Sequence, residues 1–467
     1  MSQKLATEIS IDENGDHQWQ QGQVVEVEIT DLTDNGDGVG RFAGRVVFVP
    51  DTAIGDRVIV RLLRVKPTYA HGKFTEILVN SADRIRPPCI VADKCGGCQW
   101  LHINYASQLE VKRNQIIQVL QRIGNIPNPP VADVLPSSNP LGYRNKVSYP
   151  IHRSATGQVK VGYYKKGSHE LINLNQCPVQ DQRLNPLLAE VKQDIQAEGW
   201  SIYDEKLNRG KLRYLSLRIG SNTGEILLTL VSTSDKLTDL DIMAQMWLER
   251  YPNLVGVCLN IQPNQSNTIL GDTTVCIAGK SYLEEEFLGL KFHLLPDTFF
   301  QVNTEGAASL FDVILTELNL QGNEVLVDAY CGVGTFTLPF AKKVKQVIGL
   351  EVQSKAIEQA QINAELNQID NVLFEVGSVE NLLPELTVTP DIVLLDPPRQ
   401  GCDRAVISAL LEMKPQRIVY ISCRPATLAR DLKLLCEGGY HLTLVKPADF
   451  FPQTSHVESV AFLISDQ

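Results

Sequence analysis

The chain has 467 residues, of which 43% are hydrophobic and 21% charged, and its formal net charge at pH 7 is −11. This composition is typical of a globular protein of roughly two to four domains, and no apolar run is long enough to cross a bilayer, so a membrane partner is not expected. The polar, acidic N-terminus lacks the regions of a signal peptide, so we expect a cytoplasmic protein whose ten cysteines serve metal binding and catalysis rather than disulfides.

Basic residues are concentrated in the first half of the chain, although the net charge is negative. Residues 41–75 contain seven Lys/Arg and two Asp, residues 142–169 contain six Lys/Arg and no acid, and residues 206–218 contain five Lys/Arg and no acid. Residues 300–467, by contrast, contain 12 Lys/Arg and 21 Asp/Glu. This asymmetry favours an RNA-binding front part and a catalytic rear part, the alternative being that each basic run is only a solvated face.

The first predicted element is a small β-barrel. Residues 1–20 are expected to form a disordered lead, and residues 21–80 an OB-like barrel, because short β-branched strands are separated by Gly/Asp turns. After the first strand, further strands are expected at Arg45–Val49, Arg57–Val65 and Lys73–Leu78.

Residues 81–285 are expected to form a central α+β domain with a patterned cysteine group and a helix over 105–123. Four thiolates are soft ligands that suit either zinc or an iron–sulfur cluster. The spacing by itself leaves both metals open, as well as four unrelated buried cysteines. The group consists of Cys89, Cys95, Cys98 and Cys177, with a Gly-Gly turn between the second and third.

Residues 286–467 are expected to form a doubly wound α/β domain, because strand and helix patterns alternate. An apolar strand that ends at Asp328 runs into a turn with Gly332 and Gly334, where glycine lets the backbone approach a ligand closely. The next apolar strand ends at Glu351, 23 residues after Asp328. An acid at this spacing suits the hydroxyls of a ribose, so the segment predicts a nucleoside-containing cofactor.

Four polar or reactive residues stand where predicted strands end: Tyr330, Glu351, Asp396 and Cys423. Each one alone is compatible with an ordinary turn residue. In an open α/β sheet, however, ligands bind at the carboxyl ends of the strands. Four such residues on one edge therefore indicate an active site.

Three segments resemble a known family, the RNA 5-methyluridine methyltransferases: Asp396-Pro-Pro-Arg399, Ile421-Ser-Cys423-Arg-Pro425 and His456-Val-Glu458. The resemblance covers nearly the whole chain. The leading barrel is similar to the family's RNA-binding TRAM domain, and the cysteine spacing is similar to that of the iron–sulfur ligands in members that act on ribosomal RNA. The resemblance implies a monomeric enzyme with a Rossmann-like S-adenosylmethionine domain and a [4Fe–4S] cluster. It would methylate carbon 5 of a uridine, in 23S ribosomal RNA with tRNA as the alternative.

The resemblance also implies the roles of individual residues. The contacts to S-adenosylmethionine would come from Gln301, Tyr330, Glu351 and Asp396. The cluster would be held by Cys89, Cys95, Cys98 and Cys177. One position departs from the family's pattern: Thr335 stands where the family often has Asn, so no cofactor contact is assigned to it.

Cys423 is the expected nucleophile, because carbon 5 of uracil is a poor one until a thiolate adds to carbon 6 and turns the ring into an enolate. A thiol of ordinary pKa needs an electropositive setting for this role. Arg424 or a helix N-terminus near Thr427 would supply it. Since a paired uridine hides its reactive face, we expect the target base to be flipped out or in a loop.

Glu458 is the expected base that removes the carbon 5 proton after methylation. Period-2 alternation in a late strand would put it on one face with His456 and Val460. Without the resemblance, a surface carboxylate would be the simpler interpretation.

Four other functions fit the sequence less well. A 5-methylcytidine methyltransferase would carry a second cysteine directly after the strand-ending proline, where this chain has Arg399 and a displaced Cys402. An amino-group methyltransferase would prefer an aromatic at Arg399. Radical S-adenosylmethionine enzymes usually space their cysteines x3 then x2, whereas this chain has x5 then x2. An RNA-binding iron–sulfur protein without catalysis is disfavoured by the intact Cys423 and Glu458.

Overall fold

The structure, a computed structural model, describes residues 19–465. Most of the predicted disordered lead therefore lies outside the described residues. The chain forms two compact units, one of residues up to Val111 with Pro452–Ser455, and one of Lys112–Phe451 with the segment that starts at His456. Across residues 19–465, no helix is both long and apolar enough to span a membrane.

The first unit contains a closed five-stranded barrel, as predicted, with the strands hydrogen-bonded in the order β1-β2-β3-β5-β4. The strands are β1 (Val24–Leu32), β2 (Gly38–Phe42), β3 (Arg45–Val49), β4 (Arg57–Val65) and β5 (Tyr69–Val79). Alternate residues of β1, such as Val25 and Val27, are buried in the barrel core. Trp19 also packs there, with its ring centroid 6.3 Å from that of Phe42. The predicted disordered lead therefore ends before Trp19 and not at residue 20, because the Trp19 side chain is buried in the barrel core.

Helix α1 (Tyr105–Arg122) runs from the first unit into the second, where a seven-stranded sheet follows. Its strands are β6 (Lys146–Arg153), β7 (Val159–Tyr164), β8 (Leu171–Asn173), β9 (Leu212–Ile219), β10 (Ile226–Ser232), β11 (Leu254–Ile261) and β12 (Thr273–Gly279). They are ordered β12-β11-β10-β9-β6-β7-β8. Helices α2 (Asn185–Glu198) and α3 (Leu240–Arg250) pack their apolar faces on this sheet, next to fully buried Tyr149.

A hairpin of β13 (Leu283–Phe287) and β14 (Leu290–Leu294) leads into the last domain. Between β14 and helix α4 (Thr304–Leu318) lies an irregular segment, residues 295–303, called the Gln301 segment below. Asn303 caps α4, because its side-chain oxygen accepts a hydrogen bond of 2.9 Å from the Gly306 amide.

The last domain is a second seven-stranded sheet with helices on both faces. Its strands are β15 (Val325–Ala329), β16 (Gln346–Glu351), β17 (Val372–Val376), β18 (Ile392–Leu395), β19 (Arg417–Ser422), β20 (Tyr440–Ala448) and β21 (Glu458–Ser465). The remaining helices are α5 (Thr337–Ala341), α6 (Ser354–Leu366), α7 (Val379–Glu385), α8 (Arg404–Met413) and α9 (Pro425–Glu437).

This sheet has the order β17-β16-β15-β18-β19-β21-β20, which confirms the predicted doubly wound fold. Strands β15 to β19 are parallel, and two helical layers bury both of their faces. This explains their continuous apolar sequences, since parallel strands are covered on both sides. The strand order reverses at β15, which places the expected ligand crevice beside its carboxyl end.

Two arginines of the basic run 206–218 do not contribute to an RNA-binding face. Arg213 and Arg218 are each only 4% exposed, and both donate hydrogen bonds to backbone carbonyls. The charge count therefore overstated the basic surface of this run, because composition does not distinguish a solvated arginine from one that ties loops together.

Candidate active site

The carboxyl edge of the parallel strands brings the predicted residues to one side of the sheet. Tyr330 follows β15, Glu351 ends β16, Asp396 follows β18 and Cys423 follows β19. The backbone continues the pairing past the strand ends, because the Tyr330 amide donates to the Leu350 carbonyl at 2.9 Å. The prediction that these positions share one edge is confirmed by this topology.

Glu458 reaches this edge through the antiparallel strand β21. Ser422 pairs with Ser459 in the β19–β21 register, so Cys423 and Glu458, one residue beyond that pair, lie side by side. The charges of both Glu458 and Asp396 act on the Cys423 thiol. The three side chains therefore form one group at the edge.

The carboxyl groups of this site hold protons more tightly than usual. Glu458 is 5% exposed, and its burial, together with the charge of Asp396, raises its pKa well above the usual range. Burial raises the pKa of Asp396 to about 7. A carboxylate with a raised pKa is a stronger base, which is the property that proton removal from carbon requires.

Cys423 is partly buried, and acidic neighbours oppose the electropositive setting expected for a nucleophilic thiol. Burial and the charges of Glu458 and Asp396 raise the pKa of the thiol. The opposing influence comes from the guanidinium of Arg399, which lowers the pKa of both Cys423 and Glu458. Arg399 had no predicted role in the chemistry. Its position directly after the strand-ending proline pair was the available signal.

A helix N-terminus does follow the thiol, because α9 begins at Pro425. Thr427 lies in its first turn and donates a hydrogen bond of 3.0 Å to the Arg424 carbonyl. The partial positive charge of a helix N-terminus favours a nearby anion. The helix N-terminus that was predicted near Thr427 is therefore present.

The turn after β15 forms an open cradle. Tyr330 has a φ of 74°, a conformation that residues with a side chain rarely adopt. Gly332 and Gly334 follow with φ values of 55° and 84°. A Cβ built on Gly332 would meet no other atom within 4 Å, so open space lies over this turn. The cradle fits a ligand that approaches the backbone closely.

Glu351 is held in place by two backbone amides. The Gly332 amide donates to its carboxylate at 3.2 Å and the Gln353 amide at 2.9 Å. Asp328 lies buried behind the turn, where burial raises its pKa to about 7 and the Thr337 hydroxyl donates to it at 2.5 Å. The cradle and Glu351 are thus rigidly connected, as a site for ribose hydroxyls and a charged tail requires.

Gln301 is 8% exposed and lies in the Gln301 segment, which also carries the 66% exposed Phe299. His456 departs from the prediction for the late strand, because β21 starts only at Glu458 and the His456 side chain is exposed. The shared face thus extends to Val460 but not to His456. The residue at which a strand begins depends on its hydrogen bonds to the neighbouring strand. The alternation of residues in the sequence does not reveal those bonds.

Cys402, the alternative cysteine, lies in a buried polar network and not in an activating environment. Its amide donates to the Asp431 carboxylate at 2.9 Å, and the Tyr420 hydroxyl donates to the same oxygen at 2.6 Å. Burial raises the pKa of the Cys402 thiol to about 12. A thiol of this kind is inert, which strengthens the distinction from cytidine methyltransferases.

The predicted metal ligands are not joined by disulfide bonds: Cys89, Cys95, Cys98 and Cys177. The amide of Gly97 donates to the Cys95 sulfur at 3.4 Å, as amides do to sulfur in metal-binding turns. Within the described ranges, however, no three His, Cys, Asp or Glu side chains are grouped as the ligands of a metal ion. The donor chemistry therefore fits a soft metal, whereas a preformed ligand group is not present in this part of the chain.

Comparison with known proteins finds related families and chains. A family model described as tRNA (uracil-5-)-methyltransferase matches residues 104–466, and one described as TRAM domain matches residues 18–75. An uncharacterized RNA methyltransferase from a Nostoc species is 63% identical over 450 residues, which cover 96% of this chain and 98% of the relative. A second, from a Synechocystis species, is 57% identical over 446 residues, covering 95% and 96%.

One solved structure is similar over almost its whole length. It is the tRNA (uracil-54, C5)-methyltransferase of Pyrococcus abyssi in complex with S-adenosyl-L-homocysteine. It has a TM-score of 0.76 and 30% identity, and the match covers 94% of this chain and 99% of that one. The likeness includes both the leading barrel and the α/β sheet.

Proposed function

Because the chain belongs to the tRNA (uracil-5-)-methyltransferase family and is an S-adenosylmethionine-dependent RNA uracil-C5 methyltransferase, we propose that it acts on 23S ribosomal RNA through a covalent bond between Cys423 and carbon 6. The observation that carries the proposed chemistry is the grouping of Cys423 with Glu458, Asp396 and Arg399 at the carboxyl edge of the sheet. A nucleophile and a base then stand beside a cofactor cradle.

S-adenosylmethionine supplies an electrophilic methyl group on a positively charged sulfonium. We assign its contacts to Tyr330 and Glu351 in the cradle and to Gln301 and Asp396 beside it. Glu351, oriented by two amides, would accept hydrogen bonds from the ribose hydroxyls. A cation bound at this edge favours the thiolate form of Cys423, since opposite charge lowers the pKa of a thiol.

In the proposed reaction, the Cys423 thiolate adds to carbon 6 of the uracil, and the ring becomes an enolate. Carbon 5 then takes the methyl group, and the bond between the methyl carbon and the sulfonium sulfur breaks. Glu458 accepts the proton from carbon 5, the bond between carbon 6 and the sulfur breaks, and Cys423 leaves as a thiolate. Glu458 can take this proton only from its ionised state, and its raised pKa makes that state a strong base.

Arg399 is proposed to balance the charges of this cycle. Its guanidinium acts on both Cys423 and Glu458 and favours the ionised form of each. Asp396, with a pKa of about 7, is placed to fix the donor or the edge of the uracil by hydrogen bonding.

Two classes of RNA are candidate substrates, and we propose ribosomal RNA. Ribosomal RNA is supported by the leading barrel together with the four-cysteine pattern. tRNA is supported by the Pyrococcus abyssi relative, which acts on a tRNA uridine. In either case the barrel would hold RNA, and the target uridine would have to leave its stack. Work on such an RNA fits the cytoplasmic location expected from the sequence.

The substrate is tested by incubating the purified protein with donor labelled in its methyl group and with 23S, 16S or tRNA transcripts in parallel. We expect label only in 23S RNA, on carbon 5 of a uridine. Label in tRNA alone would replace the ribosomal proposal by the second candidate. No label on any uridine would favour an RNA-binding protein without catalysis.

We further propose that Cys89, Cys95, Cys98 and Cys177 hold a [4Fe–4S] cluster with a structural or RNA-contacting role. The protein purified without oxygen is expected to be brown and to contain about four iron atoms per chain, as the cluster type requires. Cys89→Ser should lower the iron content, whereas Cys276→Ser, which changes an exposed cysteine of β12, should not. A colourless protein with stoichiometric zinc would contradict the cluster.

A further inference from the structure

The Gln301 segment has no regular secondary structure, and yet it carries a proposed donor contact. It consists of turns and irregular backbone between β14 and α4. No helix or strand of its own defines its conformation, which must therefore be set by contacts from other elements. These contacts are hydrogen bonds from side chains of the central sheet to the backbone carbonyl groups of the segment.

One end of the segment is held by two basic side chains of the central sheet. Arg218 on β9 donates from Nη1 to the Leu295 carbonyl at 2.7 Å and from Nη2 to the Thr298 carbonyl at 2.8 Å. Lys146 on β6 donates from Nζ to the Pro296 carbonyl at 2.9 Å. Arg218 and Lys146 are partners in the β6–β9 register, so the two donors act from adjacent positions.

The other end is held by Asn145, the residue before Lys146. Its backbone amide donates to the Val302 carbonyl at 2.9 Å. Its side-chain amide donates to the Gln301 carbonyl at 3.0 Å and to the Thr304 hydroxyl at 2.9 Å. The backbone of Gln301 is therefore fixed directly, and the segment is held on both sides of Phe299.

A buried cation is costly unless its donors are satisfied. Arg218 is 4% exposed, and burial lowers its pKa to about 10. Burial and the neighbouring charge of Arg218 lower the pKa of Lys146 to about 6, so Lys146 is mostly a neutral donor at pH 7. A neutral Lys146 does not repel the charge of Arg218. The planar guanidinium of Arg218 can also bridge two carbonyl groups that a lysine could not reach together.

We propose that Arg218, together with Lys146 and Asn145, is a positioning residue that holds the Gln301 segment in the conformation needed to bind the methyl donor. Arg218 does not touch the reacting atoms and acts through Gln301. The inference rests on the proposed function, because it takes Gln301 as a donor contact. It also gives a role to an arginine that the charge pattern had assigned to an RNA-binding face.

The test measures binding of S-adenosylhomocysteine by calorimetry, which requires no RNA. Gln301→Ala and Arg218→Met should each weaken binding about tenfold, the effect of losing roughly one good hydrogen bond. The double variant should bind no more than about twofold weaker than either single variant, because residues that act through one contact are not additive. Arg218→Lys, which keeps one donor, should recover part of the affinity.

Arg213 provides the matched control. It lies on the same strand, is equally buried, and also donates to backbone carbonyls, but to those of Gln262 and Asn264. Arg213→Met should lower the melting temperature about as much as Arg218→Met and leave the affinity within twofold. Equal losses of affinity in both methionine variants would mean a general packing effect and overturn the proposal.

The remaining outcomes distinguish the donor contact assigned to Gln301 from the positioning role assigned to Arg218. If Gln301→Ala binds normally, the donor contact assigned to Gln301 fails, and the positioning role fails with it. If Gln301→Ala binds weakly and Arg218→Met normally, only the positioning role is overturned. If Arg218→Met does not fold, the affinity of Arg218→Lys is measured instead. The proposal is contradicted if Arg218→Lys leaves the affinity for S-adenosylhomocysteine unchanged and its effect simply adds to that of Gln301→Ala in the double variant.

Discussion

A Cys423→Ala variant is expected to lose methyl transfer by about 10⁴-fold or more, the scale at which removal of a covalent nucleophile acts. Without the thiolate, carbon 5 of the uracil is not activated, although the cradle for the donor is intact. Affinity for S-adenosylhomocysteine should therefore stay within a few-fold. Single-turnover transfer to the RNA substrate and calorimetry with the donor product measure the two effects separately.

Cys436→Ala is the control for this variant. Cys436 lies near the C-terminal end of α9, the helix that starts two residues after Cys423. A helix rise of about 1.5 Å per residue places Cys436 roughly 16 Å from the helix start. It should retain full activity. A Cys423→Ala enzyme that transfers methyl groups at a normal rate would remove the nucleophile assignment, even if donor binding behaved as expected.

The second large effect is expected for Glu458→Gln. The amide has the shape of the protonated acid but cannot accept the carbon 5 proton. The reaction should therefore stop after methyl transfer, with the RNA still bonded to Cys423. Turnover should fall by about 10²- to 10⁴-fold, the usual contribution of a positioned base. The adduct should appear as a slowly migrating band on a denaturing gel that contains labelled RNA.

Glu458→Gln should cost little stability, because Glu458 is buried and its pKa is raised well above the usual range. Burial disfavours the charged form of Glu458, and glutamine has the shape of the neutral acid without the charge. The double variant Cys423→Ala/Glu458→Gln must give no band, which ties the adduct to the thiol. Normal turnover of the single variant without any adduct would transfer the role of the base to another group, and Asp396 would be the next candidate.

The opposing influences on Cys423 indicate how the site controls reactivity. Burial and the charges of Glu458 and Asp396 raise the pKa of the thiol. The charge of Arg399 acts in the opposite direction and lowers this pKa. A cationic donor bound beside Cys423 would shift the thiol towards the thiolate, which is the strong nucleophile.

Much of the fold was predictable from the sequence. The strands at 45–49 and 57–65 begin and end as predicted, because short β-branched runs between Gly and Asp turns favour strands. The doubly wound order follows from alternating strand and helix patterns. The shared edge for Tyr330, Glu351, Asp396 and Cys423 follows as well, since parallel strands all end on the same side.

Other features depend on contacts that no local pattern encodes. The neighbour of Cys423 is Glu458 because β21 inserts antiparallel between β19 and β20, a pairing set by the long-range register. Which arginines are solvated was equally hidden. Arg213 and Arg218 belong to the same basic run as the exposed Lys206 and Arg209, but the folded chain buries both against loop carbonyls.

The sequence alone determined which residues could perform the chemistry and at which end of the sheet they stand, because residue type and strand direction are local properties. Only the tertiary structure decided the electrostatics of the site. The pKa values of Cys423, Asp396 and Glu458 depend on burial and on one another's charges. Burial and the interactions between charges both depend on distances between segments that are far apart in the chain and meet only when it folds.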